Sequence, residues 1–209
     1  MKEGNDVNTN MPSLLNNQFA YYDVIESIVT ALDAKDTYTA NHSRRVGGMA
    51  DLLCDYLGEK DSVKATVHIA SHIHDIGKIG IPDHILNKPG KLTEEEWECM
   101  KRHTSIGANI LKKSEVLKPL SDVVLYHHER WDGKGYYGLE KENIPLEARI
   151  IAVCDSIDAM TSKRAYRETL SIEYCKNEIQ SNIGRMYDPR VASVAVKHFE
   201  HLLSLKVVS

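Results

Sequence analysis

Apolar residues along the chain recur mostly at the three- and four-residue spacing of amphipathic helices. In the stretch YYDVIESIVTALDAKD, residues 21–36, the residues Val24, Ile25, Ile28 and Leu32 would share one helix face. Similar spacing predicts further helices at about residues 39–57, 62–74, 93–112, 117–127, 146–160, 172–183 and 189–203. Strand-like alternation is scarce, and glycines and prolines concentrate at 77–90 and 133–145. The pattern therefore predicts an all-α domain with two glycine-containing loops.

The start of the chain and the start of one helix carry local signals of their structure. Residues 1–18 are rich in asparagine and poor in apolar residues, so they are expected to form a disordered tail or linker before a domain at 19–209. Thr93 and Glu96 have the spacing of a capping box, which predicts that a helix begins there and reaches about Lys112.

Composition narrows the class of protein. With 209 residues, 42% of them hydrophobic, the chain has room for one domain with a substantial core. A net charge of −4 gives no general attraction for nucleic acid or for an anionic membrane. No apolar run approaches the roughly 20 residues of a membrane span. The cysteines form no CxxC pair and are expected to be reduced thiols in a cytoplasmic protein: Cys54, Cys99, Cys154 and Cys175.

Histidine and aspartate residues recur near the predicted helix ends. The stretch HIHDIGKIGIPD, residues 72–83, places His74 and Asp75 in an apolar frame, where ionisable groups are costly unless they are paired or bind a metal. Singly, such residues are more often hydrogen-bonded helix residues than ligands, and Asp155 could be the buried partner of Arg149. Together they form a donor set that suits Mn, Fe or Zn: His42, His74, Asp75, His103, His127, His128 and Asp155.

The adjacent residues His74 and Asp75 could contact two different metal ions, because a carboxylate has two oxygens and can bridge. A bridged pair about 3.5–4 Å apart could activate water and stabilise the attacking and leaving oxygens of a phosphate ester. Lys78, one turn later, would stand nearby as a charge for a phosphate or as a proton donor. The i, i+4 pair His68 and His72 could also bind a metal, although packing is the simpler interpretation.

The chain resembles the HD superfamily of metal-dependent phosphohydrolases, named for an adjacent His-Asp pair, and within it the HD-GYP branch. The resemblance spans about residues 20–200 and implies an HD-domain helical bundle with a metal site between helices. Five blocks carry it in the order typical of that branch: KDTYTANHSRRV (35–46), HDIGKIGIPDHILNKPGKLTEEEW (74–97), MKRHTSIGANIL (100–111), HHERWDGKGYYGL (127–139) and IPLEARIIAVCDSIDAMTSKRAYR (144–167).

The resemblance implies two divalent ions, usually iron or manganese in this branch. Asp75 would bridge them, with one site completed by His42, His74 and Asp155 and the other by His103, His127 and His128. It also implies the hydrolysis of cyclic di-GMP to linear pGpG, in some members on to GMP.

Other residues take roles from the same resemblance. Asp75 and Lys78 are the expected catalytic residues, and Lys78 matches a lysine near the reactive phosphate. Asp36 matches an acid that supports the site from behind the ligands. The positions that would contact substrate are Lys78, Tyr136, Arg164 and Arg167. A receiver domain, a sensor domain or a diguanylate cyclase is the expected type of partner.

Two positions depart from the pattern of the branch. Tyr38 stands where some members have an acid that helps to bind a third metal, so two ions are expected rather than three. The triplet Gly135-Tyr136-Tyr137 replaces Gly-Tyr-Pro. Since proline fixes φ, its loss is expected to loosen this loop, whereas the ligands lie outside the triplet and the chemistry is expected to survive.

Two other functions remain open on the sequence alone. The same ligand set would serve another cyclic dinucleotide such as cyclic GMP-AMP, because base recognition depends on the pocket walls. The altered triplet would also suit a non-catalytic module that senses a cyclic dinucleotide or docks onto a diguanylate cyclase, although no ligand is lost.

Overall fold

The computed structural model describes residues 18–36, 41–162 and 169–204, and only the backbone of residues 18–22. Within these ranges the chain is helical, with an isolated bridge between Ile183 and Tyr187 as its one strand-like contact, so the predicted fold class is confirmed. Tyr38, Arg164, Arg167 and residues 1–17 of the predicted tail lie outside the described residues.

Eleven α-helices form within the described ranges. They are α1 (Gln18–Lys35), α2 (His42–Leu57), α3 (Asp61–Ile73), α4 (Asp83–Leu86), α5 (Glu94–Lys101), α6 (His103–Leu111), α7 (Ser121–Tyr126), α8 (Leu146–Thr161), α9 (Ile172–Ser181), α10 (Pro189–Lys197) and α11 (Phe199–Ser204). Three short 3-10 helices cover Ile76–Gly80, Lys118–Leu120 and Lys141–Asn143.

α8 lies at the centre of the bundle, packed against α2, α3, α7 and α9. Its apolar residues occur on several sides of the helix, and Ile150, Val153 and Ile157 are fully buried. A helix that is enclosed by neighbours needs an apolar surface all round. Asp155 and Asp158 are the acidic exceptions in this part of α8, and each therefore requires a partner that offsets the cost of burying its charge.

The 3-10 helix Ile76–Gly80 packs against α6 almost backbone to backbone. A Cβ atom added at Gly77 would stand 1.8 Å from the carbonyl oxygen of His103 and 2.4 Å from the amide nitrogen of Gly107. No side chain fits at such a distance, so glycine is required at position 77. This close approach brings Asp75, which directly precedes the 3-10 helix, next to the first residue of α6.

The predicted capping box is confirmed, but the predicted single helix over 93–112 is wrong. Thr93 Oγ1 accepts a hydrogen bond from the amide of Glu96, and the carboxylate of Glu96 accepts one from the amide of Thr93. The helix is interrupted at residue 102. There, the side chains of His103, Thr104 and Ser105 each bond to the carbonyl oxygen three residues earlier, in competition with the helical ladder.

Other helix boundaries also differ from the prediction. α2 begins at His42 and not near residue 39, because Asn41 has a left-handed φ of 60°. Asparagine tolerates that conformation better than most residues. The predicted helix over 117–127 is a 3-10 turn followed by the shorter α7, and the predicted helix over 189–203 is interrupted at His198, where φ is −111°.

Two expectations from composition can be compared with the fold. The four cysteines are free thiols, as predicted, and all but Cys99 are buried. Among the described residues, no helix combines the length and the apolar composition needed to cross a lipid bilayer.

Candidate metal centre

The structure brings all seven predicted ligands together. Two groups of potential ligand atoms form, and within each group the atoms lie within 4.8 Å of one another. One group consists of His42, His74 and Asp75, and the other of Asp75, His103, His127 and His128. Asp155 adjoins the first group, since its Oδ1 is 3.3 Å from Nε2 of His42. The carboxylate of Asp75 is common to both groups.

The candidate ligands come from the ends of helices rather than from their middles, with one exception. His42 and His103 are the first residues of α2 and α6, and His74 directly follows α3. His127 and His128 directly follow α7. Asp155 alone lies inside a helix, α8, whose central position places it against the other ligands.

Three histidines are oriented by the backbone in the same way. Nδ1 of His74, His103 and His127 bonds to the carbonyl oxygen three residues earlier, at 2.7, 2.8 and 2.7 Å. A carbonyl accepts only from a protonated nitrogen, so Nδ1 carries the proton and Nε2 presents a lone pair to the cluster. Metal-ligating histidines usually have this arrangement, with the second ring nitrogen donating to a carbonyl or a carboxylate.

Two of the inward-facing nitrogens lack a partner that a metal ion would supply. Nε2 of His103 and Nε2 of His127 are buried and have no hydrogen-bond partner among the described residues. A buried polar atom without a partner is costly, and a divalent cation would satisfy both nitrogens. Imidazole and carboxylate donors without a thiolate suit iron, manganese or zinc. The residues therefore fit the two ions that the sequence resemblance implies.

The second histidine group is held neutral. Burial lowers the pKa of His103 and His127, and it lowers the pKa of His128 to about 4. Neighbouring histidines push the pKa of His127 and His128 further in the same direction. Neutral imidazoles keep their lone pairs available for a cation at neutral pH.

Asp75 is held in its ionised form although it is buried. Burial alone would raise its pKa, but the positive charge of Lys78 keeps that pKa well below the usual value. Nζ of Lys78 lies 2.8 Å from Oδ2 of Asp75 and 3.0 Å from Oδ2 of Asp36. Burial opposes the charge of Lys78 as well, yet the two carboxylates raise its pKa above the ordinary value. Asp36, the residue expected to support the site, pairs with Lys78 and not with any of the candidate metal ligands.

Asp158 is a site residue that the sequence reasoning missed. Its Oδ2 lies 2.8 Å from Nδ1 of His42, and Arg45 donates two hydrogen bonds to the carboxylate, at 2.8 and 3.0 Å. Only 1% of Asp158 is exposed. Burial would lower the pKa of His42, but bonds to Asp155 and Asp158 raise it to about 9.

A signal for this contact was present in the sequence. Asp155 and Asp158 are three residues apart in an apolar helix, and Arg45 is three residues after His42, so each pair lies on one helix face. The alternative pairing of Asp155 with Arg149 is wrong, because Arg149 bonds to Asp188 and Asp155 faces His42.

A cavity of about 370 Å³ opens beside the ligands. Its polar side includes Lys78 and five of the seven metal-ligand candidates, all but His74 and His127. Its apolar side is lined by Leu86, Leu92, Trp97, Met100, Tyr136 and Ala159. Tyr136, predicted to face substrate, has its ring 4.9 Å from that of His128 and 6.1 Å from that of Trp97, between ring centroids. Trp97 was missed, because spacing does not separate an exposed tryptophan from a core one; it is 47% exposed.

The pair His68 and His72 lies outside both ligand groups. His68 Nδ1 bonds to Asp51 at 2.7 Å, and His72 Nδ1 lies 3.2 Å from a carboxylate oxygen of Glu26. The packing interpretation of this pair fits these contacts, since neither residue belongs to a metal-capable group within the described chain.

Comparisons with known proteins identify a matching family and several relatives. A family model described as HD domain matches residues 26–191. A Thermotoga maritima protein named cyclic di-GMP phosphodiesterase is 41% identical over 179 residues, which are 84% of this chain and 49% of that protein. A Vibrio cholerae protein named 3'3'-cGAMP-specific phosphodiesterase 2 is 32% identical over 187 residues, which are 88% of this chain and 36% of that protein. The chain thus spans half or less of the length of these relatives.

A solved structure supports the fold independently. A protein from Bdellovibrio bacteriovorus, described as an HDG"Y"P protein, superposes with a TM-score of 0.65 at 16% sequence identity. The match covers 90% of this chain and 64% of that chain. At this identity the likeness shows the arrangement of helices and nothing about activity.

Replacing Asp158 tests whether it sets the orientation of His42. In Asp158→Asn the charge that holds Arg45 is lost and the bond to His42 weakens, so we expect metal affinity to fall about 10–100-fold. Competition with a chromophoric chelator for Mn(II) measures the affinity. Asp55→Asn is the matched control, because Asp55 pairs with Lys64 on the protein surface. An affinity in Asp158→Asn equal to that of the wild type would contradict this role.

Proposed function

The chain belongs to the HD domain family, and from that membership we propose that it is a metal-dependent phosphodiesterase that hydrolyses cyclic di-GMP. The product would be linear pGpG, and a second cut to GMP would use the same chemistry. The observation that carries the proposal is the position of Asp75, whose carboxylate lies within reach of both histidine groups. A shared carboxylate holds two ions close enough to act on one phosphate.

The proposed ligands divide around this carboxylate. We assign one ion to His42, His74, Asp75 and Asp155 and the other to Asp75, His103, His127 and His128. Iron or manganese is the proposed metal, which the nitrogen and carboxylate donors support. Bound divalent ions would supply activation of water and neutralisation of charge on the phosphate oxygens.

Lys78 is proposed to bind a phosphate oxygen of the substrate. It lines the cavity, and its raised pKa keeps it positively charged at neutral pH. An ammonium group that pairs with two buried carboxylates holds its proton firmly, so we propose a role as a fixed charge rather than as the donor to the leaving oxygen. Arg164 and Arg167, outside the described residues, are proposed as further phosphate contacts from the sequence resemblance alone.

The apolar wall of the cavity is proposed to receive a nucleobase. Trp97 and Tyr136 meet edge to face beside the candidate metal ligands, and Nζ of Lys101 lies 5.8 Å from the centroid of the Tyr136 ring. Flat aromatic side chains provide stacking surfaces for bases without regard to sequence. A base on this wall would place its attached phosphate toward Lys78 and the histidines.

A second candidate substrate has its own support. The Vibrio cholerae relative that is 32% identical to this chain carries cyclic GMP-AMP in its name as its specific substrate. Both dinucleotides carry the same phosphodiester ring, so the proposed metal ligands serve either one. The difference lies in the base edge that the cavity wall receives.

The setting of the enzyme is also a proposal. The free thiols support a reducing compartment such as the cytoplasm. A receiver domain, a sensor domain or a diguanylate cyclase is proposed as the regulatory partner, on the grounds of the sequence resemblance.

Chromatography of cyclic di-GMP after incubation with the purified protein tests the proposed reaction. We expect pGpG or GMP to appear with protein reconstituted anaerobically with Fe(II) or Mn(II), because these ions suit the donors. Asp75→Ala is expected to lose turnover and bound metal together. Parallel incubation with cyclic GMP-AMP compares the two substrates. Intact cyclic di-GMP in the presence of confirmed bound metal would contradict the proposal.

Replacing Trp97 tests the proposed base wall. In Trp97→Ala we expect KM to rise about 5- to 100-fold with kcat largely retained, since stacking on an aromatic ring is worth about 1–3 kcal/mol per base. Trp97→Phe keeps an aromatic face and is expected to restore most of the affinity. Steady-state kinetics on cyclic di-GMP provide both constants. A wild-type KM in Trp97→Ala would rule this wall out as the base site.

A further inference from the structure

Tyr137 occupies the position where the sequence resemblance expects a proline. The loss of proline was expected to loosen the loop, but Tyr137 makes contacts that tie the loop to its surroundings. Its amide donates to Oε1 of Glu129 at 2.5 Å, and its hydroxyl lies 2.8 Å from Oγ1 of Thr104. Its ring also meets the ring of Tyr126 edge to face, with 5.8 Å between centroids. A proline has neither an amide hydrogen nor a hydroxyl, so it could make neither hydrogen bond.

The bond to Glu129 joins the two ends of the loop. Glu129 follows the histidine pair directly and is buried. Gly135 packs so closely on it that an added Cβ would stand 2.5 Å from Cα and 2.7 Å from Oε2 of Glu129. The loop therefore folds over the side chain of Glu129, and the amide of Tyr137 completes the fold from the other side.

The bond to Thr104 joins the loop to α6. Thr104 is fully buried and follows His103 directly. Its hydroxyl donates to the carbonyl oxygen of Lys101 at 3.0 Å, which leaves Oγ1 free to accept from Tyr137. One tyrosine thus connects the segment after His128 with the segment that carries His103.

Tyr136 lies in the part of the loop that these two bonds hold. It lies between Gly135, which is packed on Glu129, and Tyr137, which is bonded on both sides, and its ring forms part of the cavity wall. We propose that Tyr137 is a positioning residue that holds Tyr136 in this wall through Glu129 and Thr104, in place of the stiffness that a proline would supply. This inference rests on the proposed function, because the wall is assigned there to the substrate.

The experiment compares Tyr137→Phe with the wild type on two substrates. We expect KM for cyclic di-GMP to rise about 3- to 10-fold, the value of one hydrogen bond, while kcat and bound metal stay close to wild type. Bis(4-nitrophenyl) phosphate has no nucleobase to reach the wall, so its kcat/KM is expected to stay unchanged. Hydrogen exchange of the amides in residues 132–139, followed by mass spectrometry, is expected to become faster.

Matched variants separate this role from general destabilisation. Tyr174→Phe makes the same change at an exposed tyrosine on α9 and is expected to alter none of these readouts. Thr104→Val is expected to raise KM as Tyr137→Phe does, and Thr104→Ser, which keeps the hydroxyl, is expected to restore it. Both substitutions remove the same hydrogen bond, one from each partner. The KM of the double variant Tyr137→Phe with Thr104→Val should therefore be no higher than that of Thr104→Val alone.

Two results would overturn the inference. One is an unchanged KM together with unchanged exchange in Tyr137→Phe. The other is an equal loss of activity on both substrates, which would mean that Tyr137 acts on the metal centre and not on the wall. If the metal-loaded wild type hydrolyses no cyclic dinucleotide, the proposed function fails separately. Hydrogen exchange of residues 132–139 then tests the positioning role of Tyr137. Faster exchange confined to Tyr137→Phe and Thr104→Val supports that role, and unchanged exchange overturns it.

Discussion

The carboxylate of Asp75 is the constraint on which the site depends. It is buried, it stays ionised, and it lies within reach of two groups of histidines. Burying such a charge is costly unless cations offset it. Lys78 supplies one positive charge at 2.8 Å, and the inward-facing lone pairs of the histidines are donor atoms that metal ions could bind. The close packing of Gly77 on α6 brings Asp75 next to His103.

The rest of the centre follows from how histidines are oriented at helix ends. A residue near a helix end finds a backbone carbonyl three positions earlier, and His74, His103 and His127 each bond to one through Nδ1. The same kind of bond accounts for the interruption between α5 and α6, since the bond from His103 competes with the helical hydrogen bonds there. At the start of α2, Nδ1 of His42 bonds to the carboxylate of Asp158, which orients this ring as the carbonyl oxygens orient the other three.

Much of the fold was predictable, because apolar spacing and a capping box are local signals. The set of seven clustered residues was also predictable, since the blocks of sequence that carry them occur in a familiar order. Trp97 and Tyr137 were beyond reach, because their roles depend on which side chains meet across helices. Asp158 was missed although its spacing from Asp155 was a signal, because spacing alone does not show that His42 and Arg45 contact it. The break before His103 was missed for a different reason. The helical spacing of apolar residues continues through residue 102, but local side-chain bonds to the backbone interrupt the helix there.

Crystallography of the metal-loaded protein with anomalous scattering at the iron or manganese edge tests the central claim most directly. The account predicts two ions per chain on either side of the Asp75 carboxylate, with Nε2 of His74 bound to one and Nε2 of His103 and His127 bound to the other. A single ion, or ions that leave these nitrogens without a ligand bond, would contradict it.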